Sequence, residues 1–498
     1  MSTPAPGSGD SAAPASPDLV ARLTARLPAE GRVLLLDGGA GGPGLAMARP
    51  GVEHRPFGAG GALGAGALEP SGWEAVVLAA ERPARGWHSL LAELRPALVE
   101  HGRVLLVLPV DEGAPSAGVA DAVGALYETA YCVLHEDRVA IAPLLAGARG
   151  PSPAHPARAV LVVARVGEHA VLPYRAGDED AILRLFGASF SPRRGIEHWR
   201  WKYCDNPFGT LAISCAFSPD GDLAAHYAAY PVPFRRARRG GGETLLCHQV
   251  GDTMTDRRHR AVGRGRTSLL ARTARHFYAR RCDGRVAFNY GFNTGNIQRF
   301  SQLFVGARKV WDLELRTCRP DHLHLAPPRR FRPYRVSSVG ALDGAFDDLF
   351  ERLAPDYCLL VERRRAYLDW RYLRCPDPGL RFLRVDAGSR LVGWGVFRRD
   401  GERLLWGDAL IDRGHPGAAS ALLRHAIVAG DPLEPAAERI EGWFSRHPAW
   451  WSELLATLGF DVAPEPQDLG MVYVPFLEDP LDELRTRYYL TMGDGDLF

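Results

Sequence analysis

A chain of 498 residues is long enough for about three domains of ordinary size. Its 46% hydrophobic and 24% charged content is that of a globular protein and excludes collagen-like, mucin-like and wholly disordered classes. The 60 basic and 58 acidic residues leave a net charge of +2, which excludes a nucleic-acid machine driven by bulk charge and makes any polyanion site local.

In chain order, residues 1–18 are Ala/Pro/Ser/Gly-rich, carry too little apolar surface to offset their ordering entropy, and are expected to be a disordered lead. Gly/Pro-rich stretches at 146–158 and 319–334 predict seams. They divide the chain into 19–168, 169–325 and 326–478, with 479–498 as a tail. In the first part, residues 31–44 read GRVLLLDGGAGGPG, an apolar strand running into a glycine-rich turn. Such glycines let the backbone approach a ligand at a helix start. The spacing Asp37-x-Gly39-x-Gly41-x-x-Gly44 resembles motif I of class I S-adenosylmethionine-dependent methyltransferases, with 73–80 like that fold's fourth strand and 90–108 like its next helix and fifth strand. The resemblance implies a Rossmann-like domain and adenosylmethionine at Asp37, Gly39 and Gly41. Two departures weigh against it. Only Glu53, in poor register, stands where the family holds the ribose, and 58–66 is Gly/Ala-rich where a third strand belongs. A degenerate domain is the expectation.

The two later parts look like copies of one unit. The run from Trp199 to Pro207 aligns with that from Trp370 to Pro378 as W-R-aromatic-x-x-C-x-x-P, 171 residues apart (199 to 370). Each is followed by strand-like runs, a helix-like run (267–281; 418–428), another strand (286–293; 440–445) and another helix (296–307; 448–460). A box present in both copies reads as packing, with Arg200 and Arg371 stacked on or bonded to neighbours.

The densest chemistry lies in 249–278, a strand, a basic glycine-containing turn and the opening of a helix. Arg260-Ala-Val-Gly-Arg-Gly-Arg266 offers consecutive backbone amides and a helix start to one point, the geometry that binds a pyrophosphate. Arg260, Arg264 and Arg266 add charge-assisted donors, and Gly263 and Gly265 keep side chains out of the way. A basic loop that only solvates a helix start is the alternative. This segment resembles motif A of the GCN5-related N-acetyltransferases. The resemblance implies two tandem acetyltransferase folds with mixed central sheets, in an α/β protein with the N-terminal Rossmann-like domain. It also implies acetyl-CoA or another acyl-CoA as co-substrate. The diphosphate would lie at Arg260, Val262, Gly263, Arg264, Gly265 and Arg266, and Met254 and Thr255 would lend backbone groups to the pantetheine arm.

Transfer to an amine needs a base, an oxyanion donor and an acid for the thiolate. Asp252, at the strand end before the loop, is the expected base; its alternative is a strand-end carboxylate paired with an arginine. The family's tyrosine acid, counted back from Gly306, falls on Gln302. Tyr290 and Asn293 stand in for it as candidates to polarise or protonate, with core packing and helix capping as their alternatives. Tandem copies with the first active also resemble the enhanced-intracellular-survival type, in which the chain's terminal carboxylate enters the site; Phe498, with Asp494 and Asp496, is the corresponding candidate here. The second copy reads Asp412-Arg-Gly414-His-Pro-Gly417 at the turn, without an arginine-flanked GxG, and is expected to have lost coenzyme A.

The eight cysteines show no CxxC pair or zinc spacing and read as reduced, mostly core thiols, with no metal site. Apolar runs are too short for a bilayer and no signal peptide is read, so a cytoplasmic setting is expected. The expected function is N-acylation of a small-molecule or peptide amine, with neither nucleic acid nor membrane as partner. Three rival readings stand. Fem-type aminoacyl transfer is opposed by the near-neutral charge that a tRNA channel would not have. The others are an active methyltransferase and a non-enzymatic protein that holds coenzyme A or adenosylmethionine.

Overall fold

Whether a strand's apolar residues run unbroken or alternate decides how many of its faces are covered. The computed structural model describes residues 17–27, 32–37, 52–56, 73–79, 86–110, 117–140, 158–190, 194–238, 241–327, 334–428, 437–477 and 479–498. Gly39, Gly41, Gly44, residues 1–16 and the 58–66 stretch lie outside them. The described chain is α/β with three mixed sheets and divides into two units, residues 1–173 with 214–226 and 255–284, and residues 174–213 with 227–254 and 285–498.

The first unit holds β1 (Val33–Asp37), β2 (Val52–Pro56), β3 (Trp73–Ala79), β4 (Leu98–Val110), β5 (Tyr131–Ala140) and β6 (Arg158–Val166) in the order β2-β1-β3-β4-β6-β5. The first four are parallel, while β6 is antiparallel to both β4 and β5. Leu34, Leu36, Val76, Val104 and Leu106 pack on one face beneath helices Gly86–Leu94 and Ala117–Glu128; Val33, Leu35, Ala75, Val77 and Leu105 pack on the other with Leu23 and Leu27. Both faces are covered, hence the continuous apolar runs. Helix Pro17–Arg26 begins inside the stretch expected as a disordered lead.

In the same unit β7 (Ala170–Pro173) pairs antiparallel with β8 (Ile213–Phe217). Helix Leu269–Phe277 is capped by Ser268, whose hydroxyl accepts from Ala271 N–H. A buried polar chain fixes its last turn: Ser214 Oγ and His276 Nδ1 are 2.8 Å apart, and His276 Nε2 and Glu128 Oε1 are 3.2 Å apart. Arg280 adds a 2.7 Å bond to the same carboxylate. Burial pushes the Glu128 carboxyl up, but His276 and Arg280 outweigh it and bring it down to about 2.

The second unit carries two sheets built from β9 (Leu223–Arg238), β10 (Gly241–Thr255), β11 (Phe288–Asn293), β12 (Arg308–Asp312), β13 (Glu314–Cys318), β14 (Tyr334–Ser338), β15 (Leu359–Val361), β16 (Leu380–Ala387), β17 (Arg390–Asp400), β18 (Arg403–Ile411), β19 (Arg439–Trp443), β20 (Asp461–Pro464), β21 (Gly470–Pro475) and β22 (Tyr488–Tyr489). One runs β12-β21-β11-β10-β9-β15-β22, the other β14-β16-β17-β18-β19-β13-β20. Read together, β10-β11-β21-β12 matches β18-β19-β13-β20 place for place. Each copy therefore lends one late strand to its twin: β21 lies antiparallel between β11 and β12, and β13 antiparallel between β19 and β20. Only Leu313 separates β12 from β13, fewer than the two residues of the tightest hairpin, so β13 cannot fold back on β12 and enters the other sheet.

The repeat's register also differs from the sequence alignment. Trp201 Nε1–H donates to Trp370 O at 2.6 Å and Trp370 Nε1–H to Trp201 O at 2.8 Å, across rings stacked at 5.4 Å. These partners are 169 residues apart, which equates Trp201-Lys202-Tyr203 with Trp370-Arg371-Tyr372. The counterpart of buried Arg371 is thus buried Lys202. Arg200, expected to pack, is exposed because it lies on the outer side of helix Ile196–Tyr203.

Candidate functional site

The loop after β10 folds on itself. Asp256 Oδ1 accepts from Arg258 N–H, and the N–H groups of His259, Val262 and Leu269 donate to the carbonyls of Asp256, His259 and Val262. Gly263 (φ +68°) and Gly265 (φ +56°) both occupy the left-handed region, and a Cβ on Gly263 would overlap Thr267 O. The glycines are thus demanded by the turn itself. Arg264 N–H is spent on Thr267 Oγ1 at 3.3 Å. The N–H groups of Gly263, Gly265 and Arg266 donate to no group among the described residues. Arg260, Arg264 and Arg266 are exposed, Arg260 Nε reaching Thr255 O at 3.4 Å, and Val262 is half-buried against the first unit's core. His169 stands behind the loop, 3.2 Å from His259 between ring nitrogens, and its carbonyl accepts Arg272 Nη2–H at 2.6 Å.

In the second unit β10 and β11 pair in parallel only at His248↔Asn289 and Gln249↔Tyr290, although the strands continue to Thr255 and Asn293. Past Gln249 they part, and there Asp252 adopts φ +53°, a left-handed turn that Asp tolerates better than most side chains. Its Oδ1 accepts from Lys202 Nζ at 3.0 Å and Arg194 Nη1 at 3.1 Å, and its Oδ2 from Tyr203 OH at 2.7 Å. Burial raises the Asp252 carboxyl, but Lys202, Arg194 and the tyrosine bond outweigh it and hold it well below the carboxylate range. Met254, two residues on, is buried and Thr255 half-buried.

Residues 479–498 are folded. Helix Leu481–Arg487 leads into β22, parallel to β15, and the chain then runs through the deepest part of the unit. Thr491 bridges to Phe444 just past β19. Arg363, wholly buried, binds Asp408 (3.0 Å) and Asp494 (2.7 Å), and Tyr488 OH donates to Asp494 Oδ2 at 3.0 Å. Burial pushes the Asp494 carboxyl up to about 6, against Arg363 and with the help of Asp408. Arg371 clasps the main chain through the oxygens of Gly493 (3.2 Å), Gly495 (2.8 Å) and Phe498 (3.0 Å). The Phe498 ring lies on Gly407, where a Cβ would overlap it. Pairing of β18 with β19 stops at Leu405↔Glu441, so Phe498 and Thr491 fill the gap where those strands part.

The same segment reaches the first copy. Asp496 Oδ2 accepts from Lys202 Nζ at 2.9 Å, Gln249 Nε2 approaches Oδ1 at 3.4 Å, and Arg194 Nη2 approaches the Asp496 carbonyl at 3.5 Å. A Cβ on Gly251 would overlap Asp496 Oδ2 and stand 2.8 Å from Lys202 Nζ, so glycine is what lets the tail carboxylate sit against β10. Tyr290, fully buried, donates to Asp494 O at 3.0 Å, and burial raises its hydroxyl well above the ordinary tyrosine value. Asn293 stands apart, its amide 3.5 Å from Ser301 Oγ. Of the sequence candidates, then, Asp252 and Asp496 share Lys202, Tyr290 touches the Asp494 backbone, and Phe498 lies on Gly407. The sequence reading did not single out Lys202, Tyr203, Arg194 or Gln249 as site residues. The signal available for Lys202 was its rarity, as one of two lysines in the chain.

Among the described residues no helix is long and apolar enough to cross a membrane, and no group of three or more His, Cys, Asp or Glu side chains is placed to hold a metal ion. No family model and no curated protein matches the chain. Solved structures are similar to part of it. A probable N-acyltransferase of unknown function from Enterococcus faecalis V583 shares 13% identity over 62% of this chain and 73% of its own, with a TM-score of 0.47. A GCN5-related N-acetyltransferase from Anabaena variabilis ATCC 29413 shares 11% over 62% and 73%, with a TM-score of 0.45. One from Kribbella flavida shares 13% over 61% and 70%, with a TM-score of 0.44. At these identities and scores the likeness is one of backbone alone, and the chemistry has to come from this chain's own residues.

Proposed function

We propose that this protein transfers an acyl group, most simply acetyl, from an acyl-coenzyme A to a primary amine. The observation that carries the reading is the loop that follows β10, in which left-handed Gly263 and Gly265 stand among exposed Arg260, Arg264 and Arg266, and the Gly263, Gly265 and Arg266 N–H groups donate to none of the described residues. Undonated N–H groups at a helix start suit a diphosphate. The parting of β10 from β11 and the left-handed Asp252 at that parting support the same reading, because backbone held in a sparsely populated region clusters at functional sites. In this reading the loop holds the donor's diphosphate.

The N-terminal sheet we read as a Rossmann-type unit of the methyltransferase kind, supported by the parallel order β2-β1-β3-β4 followed by antiparallel β6. None of the eight cysteines forms a disulfide, which suits a reducing, cytoplasmic setting. Titration calorimetry with acetyl-CoA tests the main reading. Micromolar binding by the intact chain, lost in Gly263→Glu, is the expected result. A chain that binds no acyl-CoA but binds adenosylmethionine would replace it with the methyltransferase reading.

A further inference from the structure

The strand exchange leaves a cavity of about 410 Å³ between the β12–β13 crossover, the turn after β19 and helix Leu481–Arg487. We infer that it binds a small amphiphilic carboxylate, an acid with one anionic head and an aromatic or aliphatic body. The site stands whether or not the chain transfers acyl groups.

The cavity follows from the connection itself. With only Leu313 between them, β12 goes to one sheet and β13 to the other, so the chain diverges on either side of the crossover. The wedge between is closed by the turn from Phe444 to His447 and by Leu490. Much of its wall is apolar: the half-buried Trp311 ring, and Leu313, Phe444 and Leu490, each at most 3% exposed. A volume of this order, mostly apolar with a few polar groups that fix orientation, is that of an ordinary small-molecule site.

The polar groups decide the sign of the ligand. Asp312 is answered by Lys309, and Glu314 by Arg446, whose hydrogen bonds hold the Glu314 carboxyl below its usual value. Neither acid is left to attract a cation. Arg485 is the cation of this wall that has no acid. Its Nε donates to Val310 O at 3.1 Å and its Nη2 to Lys309 O at 3.0 Å, while Nη1 meets no acceptor among the described residues. The two carbonyls belong to β12, at the edge of its sheet, and they fix the direction of the guanidinium. The half-buried His447 ring likewise has no hydrogen-bond partner among the described residues. A guanidinium held in place with N–H groups to spare takes a carboxylate by charge-assisted hydrogen bonds, and the aromatic and aliphatic wall takes the body. One unanswered cation matches one negative charge.

Titration of the full chain by saturation-transfer NMR tests the site, with indole-3-acetate and octanoate as the acids and tryptamine and octylamine as the matched amines. The acids are expected to bind at sub-millimolar concentration and the amines not to bind. Arg485→Gln should weaken the acids about tenfold or more, the loss of a charge-assisted bond, and Arg485→Lys should weaken them less. A diazirine analogue of octanoate gives a readout that needs no variant: its label should map by mass spectrometry to the peptides that hold residues 310–314 and 444–447. Failure of both acids to bind, amines that bind as tightly as the acids, acid affinity that a folded Arg485→Gln chain leaves unchanged, or a label confined to other peptides would each overturn the site.

Discussion

Replacing Gly251 by Ala adds one methyl group at the point where β10 meets the tail. That methyl would overlap Asp496 Oδ2 and stand 2.8 Å from Lys202 Nζ. Asp496 has little freedom to retreat, because Arg371 holds the carbonyls of Gly493 and Gly495 on its chain-ward side. Lys202 is held from below by Asp252 at 3.0 Å. The contact that gives way is the 2.9 Å bond between Lys202 and Asp496. A hydrogen bond between charged groups is worth about 1.5–3 kcal/mol, which is roughly a 10- to 150-fold rise in how often the tail opens. Hydrogen exchange of the 488–498 peptide reads that rise directly, since it reports local opening rather than global unfolding. The decisive comparison is a cycle: in an Asp496→Ala background the added methyl meets no carboxylate, so Gly251→Ala should change exchange by less than about threefold. Equal effects in both backgrounds would refute the assigned contact.

The Asp494 carboxyl, raised to about 6 by burial, makes the native chain bind a proton that the unfolded chain has lost above about pH 4. Its contribution is therefore full below about pH 4 and lost as pH rises through 6; tail opening should become more frequent from pH 5 to 7 after correction for intrinsic rates, and Asp494→Asn should remove that trend. An Asp494→Asn chain with the parent's slope would contradict the assignment. Trp201→Ala or Trp370→Ala should each cost about 3–5 kcal/mol in chemical denaturation, with the double variant falling short of their sum by about 1–3 kcal/mol because each indole donates to the other's carbonyl. Simple additivity would count against that reciprocal pair. A chain cut between Ala326 and Pro327 should yield fragments that copurify when coexpressed and precipitate when made singly, since β13 and β21 complete each other's sheets. Two fragments soluble and folded alone would refute the strand exchange.

Much of the fold was legible locally. The parallel core strands are the unbroken apolar runs, the helix after the glycine loop begins at its Ser268 cap, and the strand and helix read at 286–307 are β11 and helix Gly295–Phe304. Gly263 and Gly265 were read as glycines that keep side chains from a phosphate, whereas the structure shows both in the left-handed region, a requirement of the turn itself. The repeat was visible too, but its register was not. The cysteine and proline that fix a spacing of 171 lie beyond the helix, whereas the packed pair Trp201 and Trp370 obeys 169.

By itself, then, the amino-acid order determined the elements, their succession and the presence of two related halves, all of which follow from periodicity and turn chemistry acting over a few residues. Only the tertiary structure decided which strand completes which sheet, that Lys202 rather than Arg200 is the buried cation, and that Asp496 comes to rest on it. Those outcomes depend on partners some 120 to 300 positions away, as with Arg363 and Asp494 (131 apart) or Lys202 and Asp496 (294 apart). A buried charge selects its neighbour by desolvation cost and complementary geometry, and neither is written in the residues that flank it. The single residue between β12 and β13 is where the two levels meet: too short for a hairpin, it forces the exchange, and the sheet that receives β13 is chosen by packing alone.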